Sequence, residues 1–161
     1  MIRPAELEDA KAIADIYNRY IAESTATFAT DPMTEAEMKE YIISVQGLYF
    51  VYEERGSILG YCYAHTWKQK AAYRQTLETT VYIVSEYTGR GLGKQLMTKL
   101  IDECRQEKYH TLIACITEEN TESIALHTKL GFQKVSHFKE VGQKFGRWLD
   151  VVDYELMLDR K

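Results

Sequence analysis

Gly89, Gly91 and Gly93 stand at alternate positions in EYTGRGLGKQL, residues 86 to 96, with Lys94 and an apolar residue behind them. Glycines let a backbone approach a ligand closely, and where such a loop opens a helix, free N–H groups and the macrodipole favour an anion. The chemistry on offer is phosphate binding. A nucleotide loop of the form Gly-x-x-x-x-Gly-Lys-[Ser/Thr], aligned on Gly93-Lys94, meets Thr88 in place of the first glycine and Gln95 in place of the hydroxyl that would hold magnesium. A dinucleotide fingerprint starting at Gly89 or Gly91 requires glycine at position 94 or 96, where Lys94 and Leu96 stand. What remains is a basic residue, Gly-x-Gly and a helix start, a pattern that fits a pyrophosphate but equally a tight turn requiring positive φ. Glu78 is a second chemical candidate, a carboxylate inside an alternating strand, where it must be paired or functional. Cys62, Cys104 and Cys115 are odd in number, far apart and set in apolar runs, the pattern of reduced core residues, and no metal site is expected.

The elements around these residues follow from periodicity. Ile2 to Pro4 reads as a short strand, and from Leu7 the residues Ala10, Ile13, Ala14, Tyr17 and Ile21 recur at helical spacing. Thr34 and Glu37 form a capping box for a helix to about Val45. Residues 48–52 and 58–64 are aromatic and β-branched runs joined by a turn at 53 to 57, a hairpin. Residues 75 to 84 alternate Leu77, Thr79, Val81 and Ile83 against Glu78, Thr80 and Tyr82, as a central strand does. Leu92, Leu96, Met97, Leu100, Ile101 and Cys104 form one helical stripe, so the glycine loop joins a strand to a helix N-terminus. Residues 111–116 form a buried strand, Asn120 caps a helix that Gly131 ends, and strands at about 132–141 and 147–158 complete the chain. The sum is an α/β (α+β) fold, a mixed sheet of about seven strands with about four helices, and not a doubly wound one.

Length and composition bound the rest. The 161 residues suit a single domain, 1–161, and 45% apolar with 27% charged residues is globular usage. A net charge of -4 without a basic block argues against nucleic acid or a polybasic membrane surface. No segment approaches the ~18 apolar residues of a membrane span, and the N-terminus meets charge at once, so a cytoplasmic location is expected.

The stretch VYIVSEYTGRGLGKQLMTKLI resembles the acetyl-CoA motif of the GNAT superfamily of N-acetyltransferases. AAYRQTLETTVYI, ACITEENTESIALHTKLGF and VGQKFGRWLDVV extend the resemblance to the phosphinothricin and methionine sulfone N-acetyltransferase-like branch, over nearly the whole chain. The resemblance implies a mostly antiparallel sheet and a co-substrate, acetyl-CoA, whose pantetheine arm pairs with backbone groups of Val81, Tyr82 and Ile83. Gly89, Arg90, Gly91, Leu92, Gly93 and Lys94 would then hold the pyrophosphate, with Asn120 and Lys129 completing the coenzyme site. One position departs from the pattern: Thr88 stands where the motif has Gln or Arg.

The same resemblance makes Glu78 the catalytic base that an α-amine, mostly protonated at neutral pH, requires, and it sets His127 near the active site. Ala71, Ala72 and Tyr73, with flanking Lys68, Lys70 and Arg74, match the substrate loop, and Phe28 the substrate-side segment, where Ala29 replaces an arginine found in part of the branch. Lys144, Phe145 and Trp148 match a hairpin that closes the site and contributes to a homodimer, although Trp148 could equally belong to a core. The implied function is acetyl transfer to the α-amine of a small amino-acid-like molecule of the phosphinothricin, methionine sulfoximine or methionine sulfone type. A non-catalytic acyl-CoA-binding regulatory module and a protein N-terminal acetyltransferase are the alternatives.

Overall fold

The computed structural model describes residues 1–45 and 47–159; residues 46, 160 and 161 lie outside the described residues. Seven strands form one sheet in the order β1-β2-β3-β4-β5-β7-β6. They are β1 (Ile2–Pro4), β2 (Tyr49–Glu54), β3 (Ser57–Thr66), β4 (Thr76–Ile83), β5 (Thr111–Thr117), β6 (Gln133–Lys144) and β7 (Arg147–Met157). Four α-helices accompany them among the described residues: α1 (Ala10–Glu23), α2 (Glu35–Ser44), α3 (Leu92–Gln106) and α4 (Thr121–Lys129). Every neighbouring pair is antiparallel except β4 and β5, as the resemblance implies.

The alternation along the strands distributes two cores. Cys62, Ala64, Leu77, Leu112, Ala114 and Val152 meet the stripe of α3, where Leu96, Met97, Leu100 and Cys104 are fully buried. On the other face Tyr49, Val51 and Tyr61 meet Ala10, Ile13 and Ala14 of α1 and Met38 and Ile42 of α2. Each fully buried Leu or Ile contributes about 1.5–3 kcal/mol relative to exposure, so the sheet is fixed from both sides. The expected capping box is present: Thr34 Oγ1 accepts from Glu37 N at 3.1 Å, and the Glu37 carboxylate accepts from Thr34 N at 3.2 Å.

Two boundaries differ from the sequence reading. The first helix begins at Ala10, because Leu7 is 41% exposed and Leu7–Asp9 form a 3-10 turn. The Asp9 carboxylate accepts from Glu6 N and from both terminal nitrogens of Arg3, which ties that turn to β1 instead of extending α1. The edge strand β6 runs on to Lys144 through an irregularity between Phe138 and Gly142. There Asp150 accepts from Glu140 N and from His137 Nε2, both at 2.8 Å, and Glu140 takes φ 51°. A bulge of this kind erases the alternation by which the strand's length could be read.

Candidate functional site

The ladder between β4 and β5 runs only from Thr76↔Thr111 to Thr79↔Ala114. Beyond Thr79 the two strands part, and the fork opens into a cleft of about 1070 Å³. Its walls are Thr80 to Ile83 on one side and Cys115 to Thr117 on the other, and it reaches the glycine loop and the first turns of α3 and α4. Because β3 covers the other edge of β4, the alternation of an antiparallel ladder decides which backbone groups face the fork. Val84 N donates to Leu59 O, which sets even-numbered residues toward β3. Val81 and Ile83 therefore present their backbone to the cleft, whereas Tyr82 bonds toward β3. Of the three residues expected to meet a pantetheine arm, the geometry offers Val81 and Ile83, and the Ile83 carbonyl already accepts from Tyr20 OH.

At the cleft's mouth, Gly91 is the N-cap of α3 with φ 82°, and no side chain caps the helix. The amides of Leu92, Gly93 and Lys94 are the first-turn donors that an α-helix leaves without intrahelical partners. A Cβ at Gly89 or Gly91 would meet nothing within 4 Å, so this side is open to a ligand, while one at Gly93 would lie 3.3 Å from Leu126 Cδ2. Gly93 therefore serves the approach of α3 to α4. Lys94, Asn120 and Lys129 line the same cleft. Asn120 Oδ1 accepts from Ser123 N at 3.2 Å, which engages the oxygen and not the amide nitrogen of this cleft-lining side chain. Arg90 does not line it: its guanidinium lies 4.9 Å from the Tyr87 ring centroid. Thr88 does line it, with its hydroxyl donated to Ser85 O at 2.9 Å. At the apex, Thr79 Oγ1 is buried with no hydrogen-bond partner among the described residues. A buried orphan hydroxyl at the end of an open cleft fits a ligand's polar group.

Glu78 faces the α1/α2 side of the sheet, is about 30% exposed and does not line the cleft itself. Directly across the β3–β4 ladder stands His65, with Nε2 3.6 Å from Glu78 Oε2. His65 continues an aromatic row along β3, its ring centroid 6.0 Å from that of Tyr63, which stacks on Tyr49 and meets Tyr41 edge-on. Trp67 follows two residues on, and Tyr73 packs against it at right angles, 5.3 Å between centroids. The turn of Ala71, Ala72 and Tyr73 is thus tied to the row that carries His65. Phe28 lies elsewhere: its ring fills the space that a Cβ at Gly142 would need. No cavity among those described joins Phe28 to residues 71–73.

The segment from Ser24 to Phe28 is strapped over the cleft. Lys144 Nζ, from the end of β6 and only 5% exposed, donates to Ser24 O at 2.6 Å and Thr27 O at 2.8 Å. Thr117 Oγ1 donates to Thr25 O and Tyr82 OH to Ala26 O. The Glu119 carboxylate receives Thr25 Oγ1 and both terminal nitrogens of Arg147, which hold it down to a pKa of about 2. Burial lowers the pKa of Lys144.

His127 is 4% exposed in α4, its Nδ1–H donated to Ser123 O at 2.7 Å and its ring edge-on to Phe132. Burial lowers its pKa, so the ring is neutral and Nε2 carries no proton. Cys62 and Cys104 are core residues as expected, but Cys115 is exposed and lines the cleft, because β5 has no β4 neighbour at that level. Desolvation, followed by the Asp153 and Glu78 carboxylates, pushes the Cys115 thiol up to about 12, which keeps it from acting as a thiolate. Trp148 is 60% exposed, so the core alternative for it falls.

Sequence reasoning missed His65, Thr79 and Tyr20 as site residues, and placed Lys144 only in the hairpin that closes the site. His65 could have been found only with the β3–β4 register, which the connection from Trp67 to Gln75 does not dictate.

A family model described as an acetyltransferase (GNAT) domain matches residues 2–152. A phosphinothricin N-acetyltransferase of Streptomyces coelicolor is 38% identical over 160 residues, 96% of this chain and 94% of that protein. An L-methionine sulfoximine/L-methionine sulfone acetyltransferase of Salmonella typhimurium is 36% identical, covering 98% of this chain and 94% of its own. Among solved structures, an acetyltransferase of Salmonella typhimurium with its cofactor acetyl-CoA superposes with a TM-score of 0.96 at 35% identity, over 100% of this chain and 95% of that one.

Proposed function

The chain belongs to the GNAT acetyltransferase family, and from that premise we propose that it transfers acetyl from acetyl-CoA to the α-amine of a small amino-acid-like substrate. The substrate class is that of phosphinothricin, methionine sulfoximine and methionine sulfone, the molecules in its relatives' names. One observation carries the reading: a single cleft joins a forked, half-unpaired β4 to the uncapped N-terminus of α3. That is a seat for an extended arm ending in a pyrophosphate.

In this reading Gly89, Gly91, Leu92, Gly93 and Lys94 receive the pyrophosphate on backbone N–H groups, with Lys94 and Lys129 adding charge. Arg90 joins them only by leaving Tyr87. Asn120 contributes its free amide nitrogen. Val81 and Ile83 pair with the pantetheine arm, and a Val81 or Ile83 N–H meets the charge that develops on the thioester oxygen. Thr79 Oγ1, the orphan at the apex, takes a polar atom of the same group. When bound, acetyl-CoA supplies the activated acyl group that a neutral amine attacks.

Glu78 removes the amine's proton directly or through water, as its place off the cleft but beside the end of the fork allows. Tyr73, Ala71, Ala72 and Phe28 are proposed as substrate contacts, the first three in the turn whose Tyr73 packs on Trp67, two residues beyond His65. His127 supports the site as a fixed, neutral wall residue. No covalent enzyme intermediate is needed, which agrees with the raised Cys115 pKa.

A homodimer is part of the proposal. Its support is the apolar surface of the β6–β7 hairpin, where Val135, Phe138, Val141, Phe145 and Trp148 are each more than half exposed. A monomer mass in sedimentation equilibrium would contradict it. The reading as a single cytoplasmic domain draws on three free cysteines, and no helix among the described residues is long and apolar enough to cross a membrane.

The deciding experiment measures thiol release from acetyl-CoA with methionine sulfone, methionine sulfoximine, phosphinothricin and a short peptide amine. Turnover with one or more of the small amines supports the reading. Tight coenzyme binding without any turnover would make the chain a coenzyme-binding module instead, and turnover confined to the peptide would point to a protein N-terminal acetyltransferase.

A further inference from the structure

We propose that His65 is the proton partner of Glu78, taking over the proton that the carboxylate removes from the amine and handing it to solvent. This rests on the reading of Glu78 as the base. His65 does not touch the substrate in this scheme; it acts through Glu78.

The register sets the two side chains opposite each other on one face of β3 and β4, 3.6 Å apart. His65 Nδ1 lies 2.9 Å from Thr66 O, a carbonyl that can only accept, so Nδ1 carries hydrogen. In the neutral ring Nε2 is then bare and looks at a carboxylate oxygen. At 3.6 Å the two atoms are beyond hydrogen-bond distance but within ion-pair distance, so they attract and can close on each other only when the imidazole carries the second proton. Consistent with this, Glu78 raises the imidazole pKa above its ordinary 6.5.

The other titratable groups around the pair are Tyr63 on β3, Tyr41 on α2 and Cys115 on β5. Desolvation raises the pKa of Tyr63 and Tyr41, and desolvation with the Asp153 and Glu78 carboxylates raises that of Cys115. Lys68 lies beyond, over the Trp67 ring. Of these, the imidazole is the group whose charge changes near neutral pH.

An N–H bond of the ammonium breaks and an O–H bond forms on Glu78; that bond breaks in turn as Nε2–H forms, and the carboxylate is regenerated as an anion. The imidazolium has one N–H on Thr66 O and the other facing Glu78, and its side chain is 33% exposed, so the proton has a route to water. Below the imidazole midpoint His65 is already protonated and can take no further proton from Glu78. The rate must therefore rise with pH through a midpoint above 6.5.

Two measurements test this. Long-range ¹H–¹⁵N spectra of the imidazoles in wild type and Glu78→Gln read tautomer and midpoint, with His110, His127 and His137 as internal references. We expect the Nδ1–H tautomer at His65 and a midpoint above 6.5 that falls back toward it in Glu78→Gln. A His65 midpoint unmoved by Glu78→Gln would overturn the pairing whether or not the protein acetylates anything.

The second measurement is kcat at saturation with both substrates against pH, for wild type, His65→Gln and His65→Asn. The acidic limb should move away from its wild-type position in both variants and the plateau should fall about tenfold, part of the 10²–10⁴ a positioned base contributes. The KM for acetyl-CoA should stay unchanged, which excludes misfolding. Profiles that superimpose on wild type would overturn the role while leaving acetyl transfer intact, whereas absence of turnover in wild type would remove the base reading and this role together.

Discussion

Replacing Gly91 by alanine separates what the glycine loop does for folding from what it does for a ligand. Gly91 caps α3 with φ 82°, and an added Cβ meets no atom within 4 Å. The folding cost is then backbone strain alone, about 1–2 kcal/mol for an L-residue in the left-handed region. In a chain of this size that lowers Tm by roughly 2–8 °C. The ligand cost is separate, because the new methyl projects into the open side from which a pyrophosphate would approach the first-turn amides. Each amide bond to a charged acceptor contributes about 1.5–3 kcal/mol, so losing one raises the KM for acetyl-CoA by roughly 10- to 150-fold.

Gly56→Ala is the control. Gly56 has φ 80° and equally open surroundings, but it lies in the β2–β3 turn and does not line the cleft. Thermal melts should show similar losses for both variants. Initial-rate kinetics should show a raised KM for acetyl-CoA in Gly91→Ala alone, with the KM for the amine near wild type. A wild-type coenzyme KM in Gly91→Ala, or an equal rise in Gly56→Ala, would refute the assignment of this loop to the pyrophosphate.

Three further outcomes follow from the same geometry. Glu78→Gln should lower kcat by about 10²–10⁴ with little change in the KM for acetyl-CoA, since Glu78 does not line the cleft; a full rate in stopped-time thiol assays would contradict its role as base. Lys144→Met should destabilise the fold by about 1–3 kcal/mol in urea unfolding, because the Ser24 and Thr27 carbonyls lose a buried donor. It should also raise the KM for the amine as the strap loosens, and an unchanged midpoint would show that the strap does not depend on Lys144. Arg147 lowers the Glu119 pKa from 4.5 to about 2, so this pair's contribution is complete above pH 4.5 and disappears as pH falls through 2. Melts between those pH values should lose a small, salt-sensitive increment, because the pair is exposed, and Arg147→Gln should abolish that part of the slope.

The order and type of the elements were legible because periodicity records burial. Leu77 and Thr79 alternate with Glu78 and Thr80 because one face of β4 is buried there and the other is only half-buried, and the α3 stripe from Leu92 to Cys104 repeats at 3.6 because one side meets the sheet. Gly131 ends α4 as expected, with φ 95°. The reading failed where a polar contact overrides propensity. Asp9 and Arg3 hold a 3-10 turn where the apolar spacing suggested a helix, and Asp150 holds a bulge in β6 that has no counterpart in the pattern of apolar residues. Cys115 looks like a core residue in its apolar run, and it would be one if β4 stayed paired with β5.

Residue types and local spacing by themselves determined the fold class, the uncapped glycine loop before α3 and a strand carboxylate at Glu78, because each of these depends on near neighbours in the chain. Tertiary structure alone decided which backbone groups of β4 remain open, that Arg90 turns onto Tyr87 and Lys144 is buried under the Ser24 to Phe28 segment, and that His65 faces Glu78. Those facts depend on where two strands separate and on the register between strands joined by a long connection. Neither leaves a local mark, since pairing free energy is shared between residues distant in sequence.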